Sequence, residues 1–295
     1  MHALLFLLSF LIAFSYGCGN TTTTTNNYRT GTRGIEINYA ASSPPDQVYY
    51  SGSAVQVPVA LEIWNYGAES GSGTIFFDGY DSSMFNLQSQ KTFSTIEGKE
   101  ASRNPQGTYA FLDVGNVNVN LPTDVDLIEV PIRATACYDY KTAASFSICV
   151  DPNPSNTGKK ACTPVNSISG SGGQGGPVEV ASIQQESGVG KVILTITIKN
   201  VGGGSVIRSG KSSSCLNLGQ ADLNVVSVSG TISSGKKLTC SLGNSNTVRL
   251  VNNEGVVVCT ADIDKNQNAY VTPVNLVIGY GYEYATQKNI EIKRI

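Results

Sequence analysis

Apolar and polar residues alternate along most of this chain with the period of two that places successive side chains on opposite faces of a β-strand. The run Val57-Pro58-Val59-Ala60-Leu61-Glu62-Ile63-Trp64 is the first clear case, and it stops at Asn65-Tyr66-Gly67. A second begins at Val192, continues through Leu194, Ile196 and Ile198, and stops at Asn200-Val201-Gly202. Shorter runs predict strands at 35–39, 74–77, 110–114, 127–136, 146–150, 224–228, 248–251, 256–261 and 290–293. Turn residues such as Asn252, Asn253 and Gly255 separate them, and no long amphipathic helical pattern is present. The class this predicts is all-β.

The two halves of the pattern repeat each other. The motif ending in Asn-x-Gly recurs at an offset of 135, from Asn65 to Asn200. Pro131-Ile132-Arg133-Ala134-Thr135-Ala136-Cys137-Tyr138-Asp139-Tyr140 aligns with Pro273-Val274-Asn275-Leu276-Val277-Ile278-Gly279-Tyr280-Gly281-Tyr282 at an offset of 142. A duplicated domain accounts for both matches. The arrangement this predicts is a signal or anchor segment at 1–17, a Thr-rich tether at 18–33, a first domain at 34–150, a Pro/Gly-rich linker at 151–176 and a second domain at 177–295. About seven short strands per copy, with turn signals between them, predict two tandem immunoglobulin-like β-sandwiches. On the strand at 273–282, Val274, Leu276, Ile278, Tyr280 and Tyr282 should share one face. Ile132, Ala134, Ala136, Tyr138 and Tyr140 should do so in the first copy, with Cys137 pointing away. The tyrosines could form a ligand-stacking platform, but core-edge packing with a bonded hydroxyl is the favoured reading.

The Asn-x-Gly strand ends, with Gly52-Ser53-Ala54-Val55 before the first of them, resemble the CARDB-type domains of prokaryotic surface proteins. The block from Cys137-Tyr138-Asp139-Tyr140 to Cys149-Val150-Asp151, and the later Gly-Gly-Gln-Gly-Gly-Pro, are similar to archaeal surface proteins. That resemblance implies an immunoglobulin-like fold and a place in cell adhesion or envelope structure. It implies no catalytic residue.

Composition narrows the function further. With 20 Lys+Arg against 22 Asp+Glu, the chain has no concentrated basic surface of the kind nucleic acid requires. The apolar run from Ala3 to Phe14 suits the h-region of a signal peptide and is too short for an ordinary membrane span. Gly17-Cys18 resembles the end of a lipobox, which makes Cys18 the candidate lipidation site. A retained anchor and a plain secreted form are the alternatives. The threonine run Thr21 to Thr25 suits a tether between anchor and folded body.

The other cysteines, Cys137, Cys149, Cys162, Cys215, Cys240 and Cys259, make an even set and imply three disulfides. Three precede the Gly-rich segment and three follow it, so full pairing within one chain requires an odd number of bridges between the halves. Cys137 or Cys162 is the expected staple.

Chemistry is thinly represented. The single histidine is His2, inside the export segment, so no histidine-based nucleophile or metal site is available beyond it. Gly170, Gly172 and Gly175 match a dinucleotide fingerprint, but Pro177 and a β-rich run follow where a helix would be needed. The acids Asp78, Asp81, Asp124, Asp126 and Asp151 are scattered with nothing selecting a pair. Asp262, Asp264 and Asn266 have the spacing of a calcium loop, though Gln267 and Pro273 stand where that loop needs glycine and an acid. No enzyme and no cofactor are expected. The expected function is a membrane-tethered surface protein with a structural or adhesive role. A filament or envelope subunit and a carbohydrate- or solute-binding accessory protein are the alternatives. The expected partners are the membrane through the N-terminus, other surface proteins or glycans, and copies of itself.

Overall fold

The computed structural model describes residues 28–170, 172–233, 235–240 and 246–295. The export segment, Cys18 and the threonine run lie outside them. In chain order the strands are β1 (Ile35–Tyr39), β2 (Gln47–Tyr50), β3 (Val55–Asn65), β4 (Gly71–Asp78), β5 (Gln90–Ile96), β6 (Thr108–Val119) and β7 (Leu127–Val150). There follow β8 (Ser167–Ser169), β9 (Val178–Gly188), β10 (Lys191–Asn200), β11 (Ser205–Ile207), β12 (Val225–Ile232), β13 (Lys236–Lys237), β14 (Thr239–Cys240), β15 (Thr247–Arg249), β16 (Glu254–Asp262) and β17 (Tyr270–Arg294). The described helical residues are two short 3-10 turns at Ser212–Asn217 and Gln220–Asp222. The all-β class is therefore what the alternation encodes.

The strands form a nine-stranded sheet and two smaller ones. The large sheet runs β13-β12-β17-β7-β4-β5, with β11 and β2 also on β17 and β15 on β12. The small sheets are β1-β3-β6 and β14-β16-β10-β9-β8. The large sheet is organised by β7 and β17, of 24 and 25 residues, which pair antiparallel from Leu127↔Lys293 to Val150↔Tyr270. Sequence patterning reads each of them as two separate strands. The residues between the pieces, Cys137 to Ser145 and Glu283 to Asn289, contain neither glycine nor proline to end a strand, and the pleat carries through.

This pairing exchanges chain between the halves. The start of β7 pairs with β4 of the first half, while its end lies beside the part of β17 that pairs with β12 of the second half. Conversely, β17 enters on β12 and finishes on β2, where Glu291–Arg294 pair in parallel with Gln47–Tyr50. A boundary at residue 150 thus falls at the end of a strand that has already crossed over. The duplicated decamers face each other at the crossing, with Tyr140 opposite Tyr280 and Tyr138 opposite Tyr282. Swapping the copies maps each of these pairs onto the other, so the halves are related by a local twofold between Asp139 and Gly281.

Both small sheets cover the same face of the large one and enclose one continuous core. Ile132, Ala134, Ala136, Tyr138, Val274, Leu276, Ile278, Tyr280 and Tyr282 on that face are each at most 1% exposed, and Tyr140 is 5% exposed. These are the residues the period of two assigns to it. The opposite face carries exposed Glu129, Arg133, Ser145, Ser147 and Asn275. It is covered near Cys137, where Ile207, Cys215, Phe76, Leu218 and Leu223 form a second small cluster.

Candidate functional site

The Asn-x-Gly signature is the best place to start, because its two copies perform the same task. Asn65 ends β3, and its side chain stands in for the backbone that the strand no longer supplies. Nδ2 donates to Glu69 O at 2.8 Å and Ile96 O at 3.0 Å, and Oδ1 accepts from Gly67 N at 3.1 Å. The Tyr140 hydroxyl closes the loop, 2.8 Å from Glu69 O and 3.2 Å from Asn65 Oδ1, and accepts from Glu69 N at 3.1 Å. In the second copy Asn200 Nδ2 donates to Gly204 O at 2.9 Å. There the Tyr282 hydroxyl donates to Asn200 Oδ1 at 3.1 Å and accepts from Gly204 N at 2.9 Å. The glycine is required by space: a Cβ at Gly67 would lie 2.1 Å from the Tyr140 hydroxyl, and one at Gly202 would lie 2.4 Å from that of Tyr282.

The other two tyrosines complete a ring at the crossing. Centroids are separated by 5.7 Å for Tyr138–Tyr140, 6.3 Å for Tyr140–Tyr280, 6.2 Å for Tyr280–Tyr282 and 5.9 Å for Tyr282–Tyr138. The Tyr138 hydroxyl accepts from Ile35 N at 3.0 Å, and that of Tyr280 bonds Thr142 Oγ1 at 2.7 Å. Each phenol is buried and bonded, so the four act as a structural lock and offer no stacking platform. Burial pushes the hydroxyls of Tyr138 and Tyr280 well above the ordinary value of 10.0, raises Tyr140, and lifts Tyr282 to about 12.

The Gly-rich segment is packed against this lock. Gly31 pairs with Gly173, and Gly175 O accepts from Ala68 N at 2.7 Å. A Cβ at Gly173 would come within 2.3 Å of Gly31 O. Gln174 is buried and exchanges two bonds with Val180, at 2.9 and 2.8 Å, in place of a neighbouring strand.

The cysteines form Cys137–Cys215, Cys149–Cys162 and Cys240–Cys259. Cys137–Cys215 is the bridge between the halves. Its second cysteine lies in residues 208–224, which separate β11 from β12. In the first copy β4 runs uninterrupted at the corresponding place, so this segment is an insertion. Asp139 holds it as well, accepting from Gly210 N at 2.6 Å and from Ser212 Oγ at 2.9 Å. Three disulfides mark a protein that matures in an oxidising, extracytoplasmic setting. No helix among the described residues is long and apolar enough to cross a membrane.

The remaining candidates are not brought together. Asp264 Oδ1 accepts from Asn266 N at 3.0 Å and makes its own turn, while Asp262 is largely exposed and lies 3.8 Å from Lys191. Among the described residues no three His, Cys, Asp or Glu side chains group to hold a metal ion. Asp151 is buried against Lys160, Asp126 faces Arg294, and Asp81 caps Ser83.

One surface feature gathers around Trp64, which with exposed tyrosines is the sequence's only hint of a carbohydrate- or solute-binding role and which its place on a strand assigns to packing. Trp64 faces outward from β3, stacked on Tyr66 at 5.6 Å and tilted against Tyr109 at 4.8 Å, with Arg33 over the Tyr66 ring at 3.5 Å. An adjoining cleft of about 480 Å³ is lined by Arg33, Trp64, Tyr66, Lys99 and Gln106. The even spacing of Trp64 and Tyr66, opposite in phase to buried Ile63 and Asn65, is the signal for that outward face. No family model matches the chain, and no curated protein is significantly similar to it.

Proposed function

We propose that this chain is an exported, membrane-tethered surface protein whose two immunoglobulin-like sandwiches act together as a non-catalytic structural or adhesive element. The observation that carries this reading is the β7–β17 pair. A strand of 24 residues at about 3.3 Å per residue spans roughly 80 Å without a break. Two binding modules on a hinge would have no use for such a pair, whereas a body that must hold its shape does. The disulfides and the tyrosine ring support the same reading. Cys18 is the proposed anchor point, and the CARDB-like features of the sequence agree with a place in the envelope.

The test is protease treatment of intact cells, with membrane fractionation and the intact mass of the mature chain. A surface-exposed, membrane-bound protein carrying lipid at Cys18 is the expected result. A soluble protein of the cell interior would refute the proposal.

A second reading, a carbohydrate-binding accessory protein, draws on the Trp64 cleft, where the Lys99 ammonium has no carboxylate partner among the described residues. A glycan array separates the two: retention lost in Trp64→Ala supports this second reading, and an array without hits retires it.

A further inference from the structure

The first and second copies differ at one sheet edge. Between Ile35 and its counterpart Val178 the offset is 143, but between Asn65 and Asn200 it is 135. The first copy uses its extra residues for the excursion carrying β2, which closes the large sheet along the end of β17. In the second copy β9 stays with its small sheet, and β2 has no counterpart. Separately, β7 has no second neighbour just beyond Tyr138, a stretch that lies short of where a β2 counterpart would pair. Among the described residues, 141–148 pair on one side with β17 and with no strand on the other.

An unpaired edge is a template for another strand, and folded proteins guard such edges with charge, proline, bulges or a covering segment. The other edges of this sheet follow that rule. Lys91 stands on β5, β13 consists of Lys236 and Lys237, and the far part of β17 carries Lys288 and Glu291 as well as the β2 cover. The stretch Thr142-Ala143-Ala144-Ser145-Phe146-Ser147-Ile148 has no charge, no proline and no bulge. Lys141 beside it lies 3.4 Å from Glu69. Along this edge runs a cleft of about 500 Å³, lined by Ala144, Phe146, Gly170, Gly173, Gln174 and Leu276 among others.

We propose that this edge pairs with the same edge of a second copy, antiparallel about Ser145, so that the large sheets of two molecules become one. In that register Ser145 faces Ser145, Ala143 faces Ser147, Ala144 faces Phe146 and Thr142 faces Ile148. Within the paired strands no like charges meet and the two Lys141 side chains fall at opposite ends; Arg29, which also lines the cleft, is held by Glu69 at 2.6 Å. The half-buried Phe146 of each molecule comes beside the partner's Ala144, where the small side chains of Ala144, Gly170 and Gly173 leave the cleft to receive it. The contact is isologous, so it closes as a dimer. One strand pair buries less than the roughly 1,000 Å² of a stable interface, so the association is weak in solution and strengthened where copies are crowded on a surface. It stands independently of the surface-protein reading.

Sedimentation of the mature chain over a range of concentrations tests it, with two variants at an exposed position that leave the core untouched. The expected result is a concentration-dependent dimer that Ser145→Lys weakens about tenfold or more at unchanged Tm. Opposed Cβ atoms on paired strands lie about 4.5–5.5 Å apart. Ser145→Cys should therefore give a covalent dimer under mild oxidation. A mature chain that stays monomeric at every concentration would overturn the proposal. So would a dimer that Ser145→Lys leaves intact and Ser145→Cys fails to trap.

Discussion

Each Asn-x-Gly motif closes the end of a strand with one side chain and one gap. Replacing Asn65 by Ala takes the side-chain partner from the Ile96 carbonyl and the Gly67 N–H, while the Tyr140 hydroxyl keeps its two Glu69 bonds, and buried groups left without partners cost about 1–3 kcal/mol each. Asn200→Ala removes bonds to Gly204 O, to the exposed Asn253 side chain and to a Tyr282 hydroxyl that keeps Gly204 N, all in a less buried setting, so it should cost less. Gly67→Ala should be worse than either, because its methyl meets the Tyr140 hydroxyl; urea melts of the three variants give the order. The tyrosines make a second prediction. Their folded-state values lie above 10.0, so the neutral phenols' contribution is complete below pH 10 and is lost as pH rises from there toward the folded values. Unfolding followed between pH 8 and 12 should therefore show level stability, then a steep fall. The 295 nm absorbance of the buried phenols should rise only with that fall. The sequence showed these four residues sharing a strand face; it could not show that the two strands would face each other, since that is a long-range pairing that local periodicity does not encode.

At the level of elements, patterning identified most strands and the core faces of β7 and β17, but it missed β5 and β9 and broke β7 and β17 into pieces of ordinary length. The stretch Cys137 to Ser145 lacks any turn residue, so continuity was written there as the absence of a stop signal. The short edges β2, β13 and β14 were not legible, because two to four residues give too little alternation to count. Cysteine parity did carry long-range information: an odd number of crossing bridges was required, and Cys137–Cys215 crosses. This bridge holds the 208–224 insertion on the outer face and closes a separation of 78 residues. Changing both cysteines to serine should lower stability by about 2–4 kcal/mol. Hydrogen exchange should then rise first in 208–224 and next in β11, while β3 and β10 keep their protection. Uniform loss of protection would mean that the bridge supports the whole core.

The whole molecule is a duplication in which each copy finishes on the other's sheet. Such an exchange couples the halves far more closely than a linker could, and it accounts for the position of the Gly-rich segment as a packed strip beside the tyrosine ring. It also makes the halves interdependent, since neither retains a complete large sheet without the other's long strand. The most direct test is differential scanning calorimetry of the intact, disulfide-bonded chain. The exchanged-strand architecture predicts one cooperative transition whose calorimetric and van't Hoff enthalpies agree. Two separable transitions, one for each half, would contradict it.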